Sequence, residues 1–179
     1  MKLPVVFIFF CLLLVISKQA PYSPAVASYL AYMSFFSYET PTNINAWNCS
    51  QCSRYPMINT KAFTNTSSDI QGFTGYSPAS NAIILAFRGS SNIDNWIIDF
   101  TINQVSYPKC TNCKVHNGFF SGYSGLKSII ISQLQSLVAL HRGAKIYITG
   151  HSLGAAIALL ASTDVKDLIA DPTALVTFG

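Results

Sequence analysis

The chain is short of charge. Asp, Glu, Lys and Arg make up 10% of it, and there is no basic run and no charged tail. The electrostatic footprint that nucleic acid requires is therefore missing, and nucleic-acid binding is excluded as its function. Much of the formal net charge of +4 comes from Lys2 and Lys18, which flank an N-terminal apolar run. There is no internal repeat and no low-complexity linker, so a repeat array is excluded and the 179 residues read as one domain. No His-x3–5-His pair accompanies either Cys-x-x-Cys pair, which argues against zinc at those cysteines.

Half of the residues are hydrophobic, enough for a sizeable core. Met1-Lys2 precedes the apolar run Val5 to Ile16, and Ser17 follows it. A positive start, a short apolar run and a small residue describe a secretory signal peptide over residues 1–17. The other reading is a membrane anchor, but a span needs ~20 residues and this run is shorter. No stable transmembrane span is expected.

Cys11 would leave with the leader. Cys49/Cys52 and Cys110/Cys113 remain. In an exported chain an even count reads as disulfides, with zinc as the alternative. Asn48-Cys49-Ser50 and Asn65-Thr66-Ser67 are glycosylation sequons, so Asn48 and Asn65 are candidate attachment sites. The expected location is extracellular or within the secretory-lysosomal pathway.

Along the chain, Val26, Tyr29, Leu30, Met33 and Phe36 fall near helical spacing, predicting a packed helix from Ser23-Pro24. Residues 40–76 are rich in Asn, Ser and Thr and read as surface loops with short strands. Residues 81–87 are apolar on both faces, as a central strand covered by helices would be. A helix is expected over 121–141, stopped by Gly143, then a strand over 145–149, a helix from Leu153 to about Ala170 and a strand over 174–178. That alternation predicts an α/β fold with a mainly parallel central sheet flanked by helices.

The chain is organised around residues 146–156. They give a β-branched strand, the turn Gly150-His151-Ser152-Leu153-Gly154, and an Ala/Leu-rich helix. This is the context in which Gly-x-Ser-x-Gly forms a nucleophile elbow, with an exposed serine hydroxyl on a strained turn. The two glycines let strand and helix pass closely. The helix N-terminus faces any oxyanion formed at Ser152. The plainer reading is an ordinary strand–helix turn.

A serine hydrolase needs two N–H donors for the oxyanion, one from the residue after the nucleophile, here Leu153, and one from a loop after an earlier strand. Ser90, in Phe87-Arg88-Gly89-Ser90-Ser91, is the candidate for the second; a simple helix cap by Ser90 or Ser91 is the alternative. Next, Ile93, Trp96, Ile97 and Phe100 fall on one helical face. That face could pack on the core or serve as a lid over an acyl pocket.

Together these motifs, with Asn95-Trp96-Ile97-Ile98-Asp99, Val115-His116-Asn117-Gly118-Phe119 and Thr177-Phe178-Gly179, resemble the secreted fungal-type (class 3) lipases. Trp47-Asn48-Cys49-Ser50-Gln51-Cys52 is similar to an early disulfide of some members. The resemblance covers most of residues 25–179. It implies an α/β-hydrolase fold over residues 18–179 and no metal or organic cofactor. It also implies hydrolysis of carboxylic esters of lipids, triacylglycerols among them, at a lipid–water interface. Ser152 would be the nucleophile, Ser90 and Leu153 the oxyanion donors, and the stretch with Ile93, Trp96 and Ile97 the lid. His116 and His151 match positions that are not the family's catalytic base, and read as structural. We read the protein as a monomer.

In α/β-hydrolases the nucleophile is followed by an acid and then a His. No His follows Ser152, and Asp164, Asp167 and Asp171 lie on or just after the helix that leaves the elbow. The sequence is therefore expected to be an N-terminal piece of a lipase. The alternatives are a feruloyl esterase or phospholipase of the same fold, and a non-catalytic lipid-binding protein.

Overall fold

The computed structural model describes residues 23–90, 103–170 and 172–179. The leader at 1–17 and the lid residues Ile93, Trp96 and Ile97 lie outside the described residues.

Helix α1 (Pro24–Phe36) starts where its chemistry dictates. The Ser23 hydroxyl accepts the Val26 N–H and Pro24 opens the first turn. Helix α2 (Pro41–Ala46) repeats the device, with Thr40 capping Asn43 ahead of Pro41. Strands β1 (Ile58–Asn65), β2 (Ile70–Ser77) and β3 (Ala82–Phe87) form an antiparallel meander. A short hairpin, β4 (Gln104–Ser106) and β5 (Lys114–His116), precedes helix α3 (Asn117–Leu140). Strand β6 (Lys145–His151), helix α4 (Leu153–Leu168) and strand β7 (Ala174–Phe178) complete the chain.

The main sheet has the order β1-β2-β3-β6-β7. β3, β6 and β7 run parallel, and β2 and β1 extend the sheet antiparallel at one edge. Helices cover both faces. Ile83, Leu85 and Phe87 of β3 and Ile146 and Ile148 of β6 face Leu126, Ile130 and Leu134 of α3 and Ile157, Ala161 and Val165 of α4. The alternate residues Ala82, Ile84, Ala86 and Tyr147 face Leu30, Met33 and Phe36 of α1. Every residue of β3 is buried, as its unbroken apolar run requires. Burial of a large apolar side chain is worth ~1.5–3 kcal/mol, and β3 pairs directly with β6, the strand that leads to Ser152.

The predicted elements recur with shifted ends, and one region differs. In the stretch expected to be loops, residues 41–46 form helix α2 and residues 58–77 form two eight-residue strands rather than short ones. Gly72 and Gly75 weaken the strand signature of β2, yet both lie under cross-strand cover. A Cβ on Gly72 would stand 2.6 Å from Cζ of Phe63, and one on Gly75 2.8 Å from Cγ2 of Thr60. Helix α3 also begins four residues before the expected start, where His116 Nδ1 accepts the Phe119 N–H.

Candidate active site

The C-terminal ends of β3, β6 and β7 converge on one edge of the sheet, the edge at which α/β folds build their sites. Ser152 stands between β6 and α4 with φ 52° and ψ −121°. A non-glycine residue with positive φ is strained, and the neighbours hold it there. Its N–H donates to the Phe178 carbonyl at the end of β7 (2.7 Å), and its carbonyl accepts from the Ala155 N–H (2.9 Å).

The flanking glycines are steric necessities. A Cβ on Gly150 would lie 2.2 Å from the Gly154 carbonyl oxygen, and a Cβ on Gly154 would lie 2.4 Å from that of Phe87. Strand and helix thus meet backbone to backbone, and Gly154 also seats α4 on the end of β3. As the first residue of α4, Leu153 has an N–H with no acceptor inside the helix. That N–H and the positive end of the helix dipole are available to an anion at Ser152.

Ser90 follows the end of β3 and is buried. The loop is pinned from two sides. Arg88 pairs with the Asp69 carboxylate and donates to the Asp69 carbonyl (3.0 Å), and the Arg88 N–H donates to the Gln71 carbonyl (2.8 Å). The Gly89 N–H donates to the Tyr38 hydroxyl (3.1 Å), which also bonds Nδ1 of His151 (2.7 Å). Tyr38 therefore joins the loop before Ser90 to the residue before Ser152, a role that no local motif signalled. Gln71 holds the turn that carries it, donating Nε2 hydrogens to the carbonyls of Ser37 (2.8 Å) and Glu39 (2.9 Å).

A cavity of about 620 Å³ lies among Ser90, His151 and Phe178 and, from α1 and its end, Ala31, Ser34, Phe35 and Tyr38. Ser152, Leu153 and Ser90 are thus gathered at one end of the sheet.

The histidines are engaged elsewhere. His116 caps α3, His141 stacks on Tyr76 (centroids 3.6 Å apart) and contacts Asn59 Oδ1 (3.1 Å), and His151 bonds Tyr38. Among the described residues, none of them is hydrogen-bonded to the Ser152 hydroxyl. Asp164 lies three turns along α4, about 16 Å from its start at 1.5 Å per residue. It is buried and serves an ion-pair cluster with Lys109 (2.6 Å), Lys127 (2.7 Å) and the Tyr123 hydroxyl (2.9 Å). Burial alone would raise its pKa, but those donors outweigh it and hold the carboxyl below the usual range. Lys109 also reaches Asp167 (2.6 Å).

The remaining predicted residues lie apart from the site. Cys49–Cys52 and Cys110–Cys113 are disulfide-bonded. Asn48 is exposed beside the first bridge, and Asn65 ends β1.

Comparison with known proteins agrees with this geometry. The family described as Lipase (class 3) matches residues 84–179. A secreted mono- and diacylglycerol lipase A of Penicillium cyclopium is 35% identical over 102 residues, 57% of this chain and 33% of the relative. The structure of a lipase from Rhizopus microsporus var. chinensis superposes with a TM-score of 0.74 at 28% identity, over 87% of this chain and 58% of that one. A triacylglycerol lipase whose catalytic centre is a serine-protease triad superposes at 0.69 and 31% identity, over 79% of this chain and 54% of that one. The chain spans about a third of the length of the curated relative it matches.

Proposed function

Because the chain belongs to the class 3 lipase family and has its α/β-hydrolase fold, we propose that it is a secreted serine hydrolase cleaving carboxylic esters of lipids, triacylglycerol-type esters among them, through an acyl-enzyme on Ser152. The observation that carries this reading is the strained Ser152 at the β6–α4 turn, with Leu153 opening the helix and Ser90 across from it.

In this reading Ser152 Oγ attacks the ester carbonyl carbon. The Leu153 N–H and the Ser90 N–H receive the charge that develops on the carbonyl oxygen, which favours the tetrahedral state over the planar ester. The alcohol leaves, and water then releases the acid by the same path. Ala31, Phe35 and Phe178 give the neighbouring cavity an apolar wall suited to an acyl chain.

Ser152 needs a base to take its proton and an acid to orient that base. His116, His141 and His151 have the partners described above, so we assign the base to none of them. The ion-paired Asp164 is likewise not assigned as the acid.

Two further parts belong to this reading. Residues 1–17 act as the export leader, in keeping with the secreted Penicillium relative. The stretch bearing Ile93, Trp96 and Ile97 acts as a lid that meets the lipid surface. Among the described residues no helix is long and apolar enough to cross a membrane.

Treating the whole protein with an alkyl phosphonate ester tests the assignment. Peptide mapping should find the adduct on Ser152. An adduct confined to another residue, or none while a control lipase is labelled, counts against the reading.

A further inference from the structure

A polar groove lies on the edge of the sheet that carries Ser152, outside the cavity described above. Register fixes its position. Asn65 pairs with Ile70 and Gly72 with Phe87, so the β1–β2 turn stands level with the loop after β3. β1 is three strands from β6, which sets the turn ~14 Å from the elbow at 4.7–4.9 Å per strand. The groove measures about 470 Å³, and Thr66, Ser68, Asp69 and Ser121 are among its walls.

At its base α3 comes close against the β1–β2 turn, and only glycine fits there. A Cβ on Gly122 would lie 2.7 Å from Cβ of Ser68, and one on Gly125 would lie 3.1 Å from Nδ2 of Asn65. Asn65 heads the sequon Asn65-Thr66-Ser67. Its Oδ1 accepts from the Ser67 hydroxyl (2.7 Å) and the Ser67 N–H (3.2 Å). This Asx turn holds the hydroxyl against the carboxamide. Nδ2 donates one hydrogen to the Gly122 carbonyl (3.4 Å). A glycosylated carboxamide keeps one N–H, so attachment leaves that contact possible. At the other sequon, no hydrogen bond joins Asn48 to Ser50 among the described residues, and Cys49 is tied to Cys52.

We propose that Asn65, rather than Asn48, carries an N-linked glycan, and that its first sugars lie in the groove between the β1–β2 turn and α3. The donor class is a lipid-linked oligosaccharyl diphosphate. Nδ2 attacks the anomeric carbon, the bond from that carbon to the diphosphate oxygen breaks, and Nδ2 gives up one proton. The hydroxyls of Thr66, Ser68 and Ser121 then face the sugar as donors and acceptors.

The proposal rests on export of the chain, so the test removes dependence on its own leader. Residues 1–17 are exchanged for an established secretion leader in a fungal host, and the secreted protein is mapped after enzymatic deglycosylation in heavy-oxygen water. Asn65 should be recovered as labelled Asp, and Asn65→Gln and Ser67→Ala should each abolish that label in folded, secreted protein. An unmodified Asn65, or a glycan at Asn48 alone, overturns the proposal. The seat has its own readout. Endoglycosidase should release the glycan several-fold more slowly from native than from denatured protein, and equal rates overturn the seating.

Discussion

The Gly89 N–H donates to the Tyr38 hydroxyl at 3.1 Å, a contact between the loop after β3 and the turn after α1. The same hydroxyl reaches Nδ1 of His151 at 2.7 Å. One side chain thus sets the separation between the two loops that flank Ser152. Tyr38→Phe removes the acceptor of a buried N–H, a loss worth ~1–3 kcal/mol. Urea unfolding should show that destabilisation, and kcat on a short-chain ester should fall with KM near the parent value. An unchanged unfolding midpoint with unchanged kcat would show that the contact carries neither role.

The elbow's glycines give a steric prediction. A methyl group on Gly154 would meet the Phe87 and Arg88 carbonyl oxygens at 2.4 and 2.6 Å. Gly154→Ala therefore forces α4 off the end of β3, at ~1–3 kcal/mol, the usual range for overpacking. Denaturant melts should report it, and a midpoint equal to the parent's would mean that the helix shifts freely.

Much of this arrangement was legible in the sequence, because local chemistry decides it. Ser23-Pro24 starts α1, Gly150 and Gly154 frame the turn, and the apolar run of β3 marks a strand buried on both faces. What was not legible depends on distant partners. Gly72 and Gly75 read as loop residues because Phe63, Thr60 and Met57, which cover them, belong to other parts of the chain. Tyr38 has no local signature, since its partners Gly89 and His151 are far off in sequence. Gly118 hid the first turn of α3, which His116 caps.

Stability in acid follows from Asp164. Burial would raise its pKa, but Lys109, Lys127 and Tyr123 donate to it and hold it below the ordinary value of 3.8. A carboxyl depressed on folding contributes stability that is present above its unfolded pKa and lost as pH falls through the folded one. Thermal melts of the parent should therefore weaken as pH drops below about 4, the unfolded Asp value. Asp164→Asn should be less stable at pH 7, with a shallower loss below that point. Parallel curves for the two proteins would remove Asp164 from the account.

The lid reading predicts a response to interfaces. Exposing an apolar face to water is unfavourable by ~25 cal/mol per Å², so a closed form should dominate without lipid. Activity of the whole protein on a short-chain ester should rise abruptly as droplets form, and Trp96→Ser should blunt that rise more than it lowers activity on monomeric ester. A smooth curve through the solubility limit, the same for both proteins, would mark this stretch as core packing.

The central claim is that Ser152 is the nucleophile. Its most direct measurement is hydrolysis of p-nitrophenyl butyrate by the whole protein and by its Ser152→Ala variant, with matched circular dichroism showing that both are folded. The account predicts a fall in kcat of ~10⁴-fold or more, the scale of losing an activated nucleophile. A folded variant that hydrolyses the ester at close to the parent rate would contradict it.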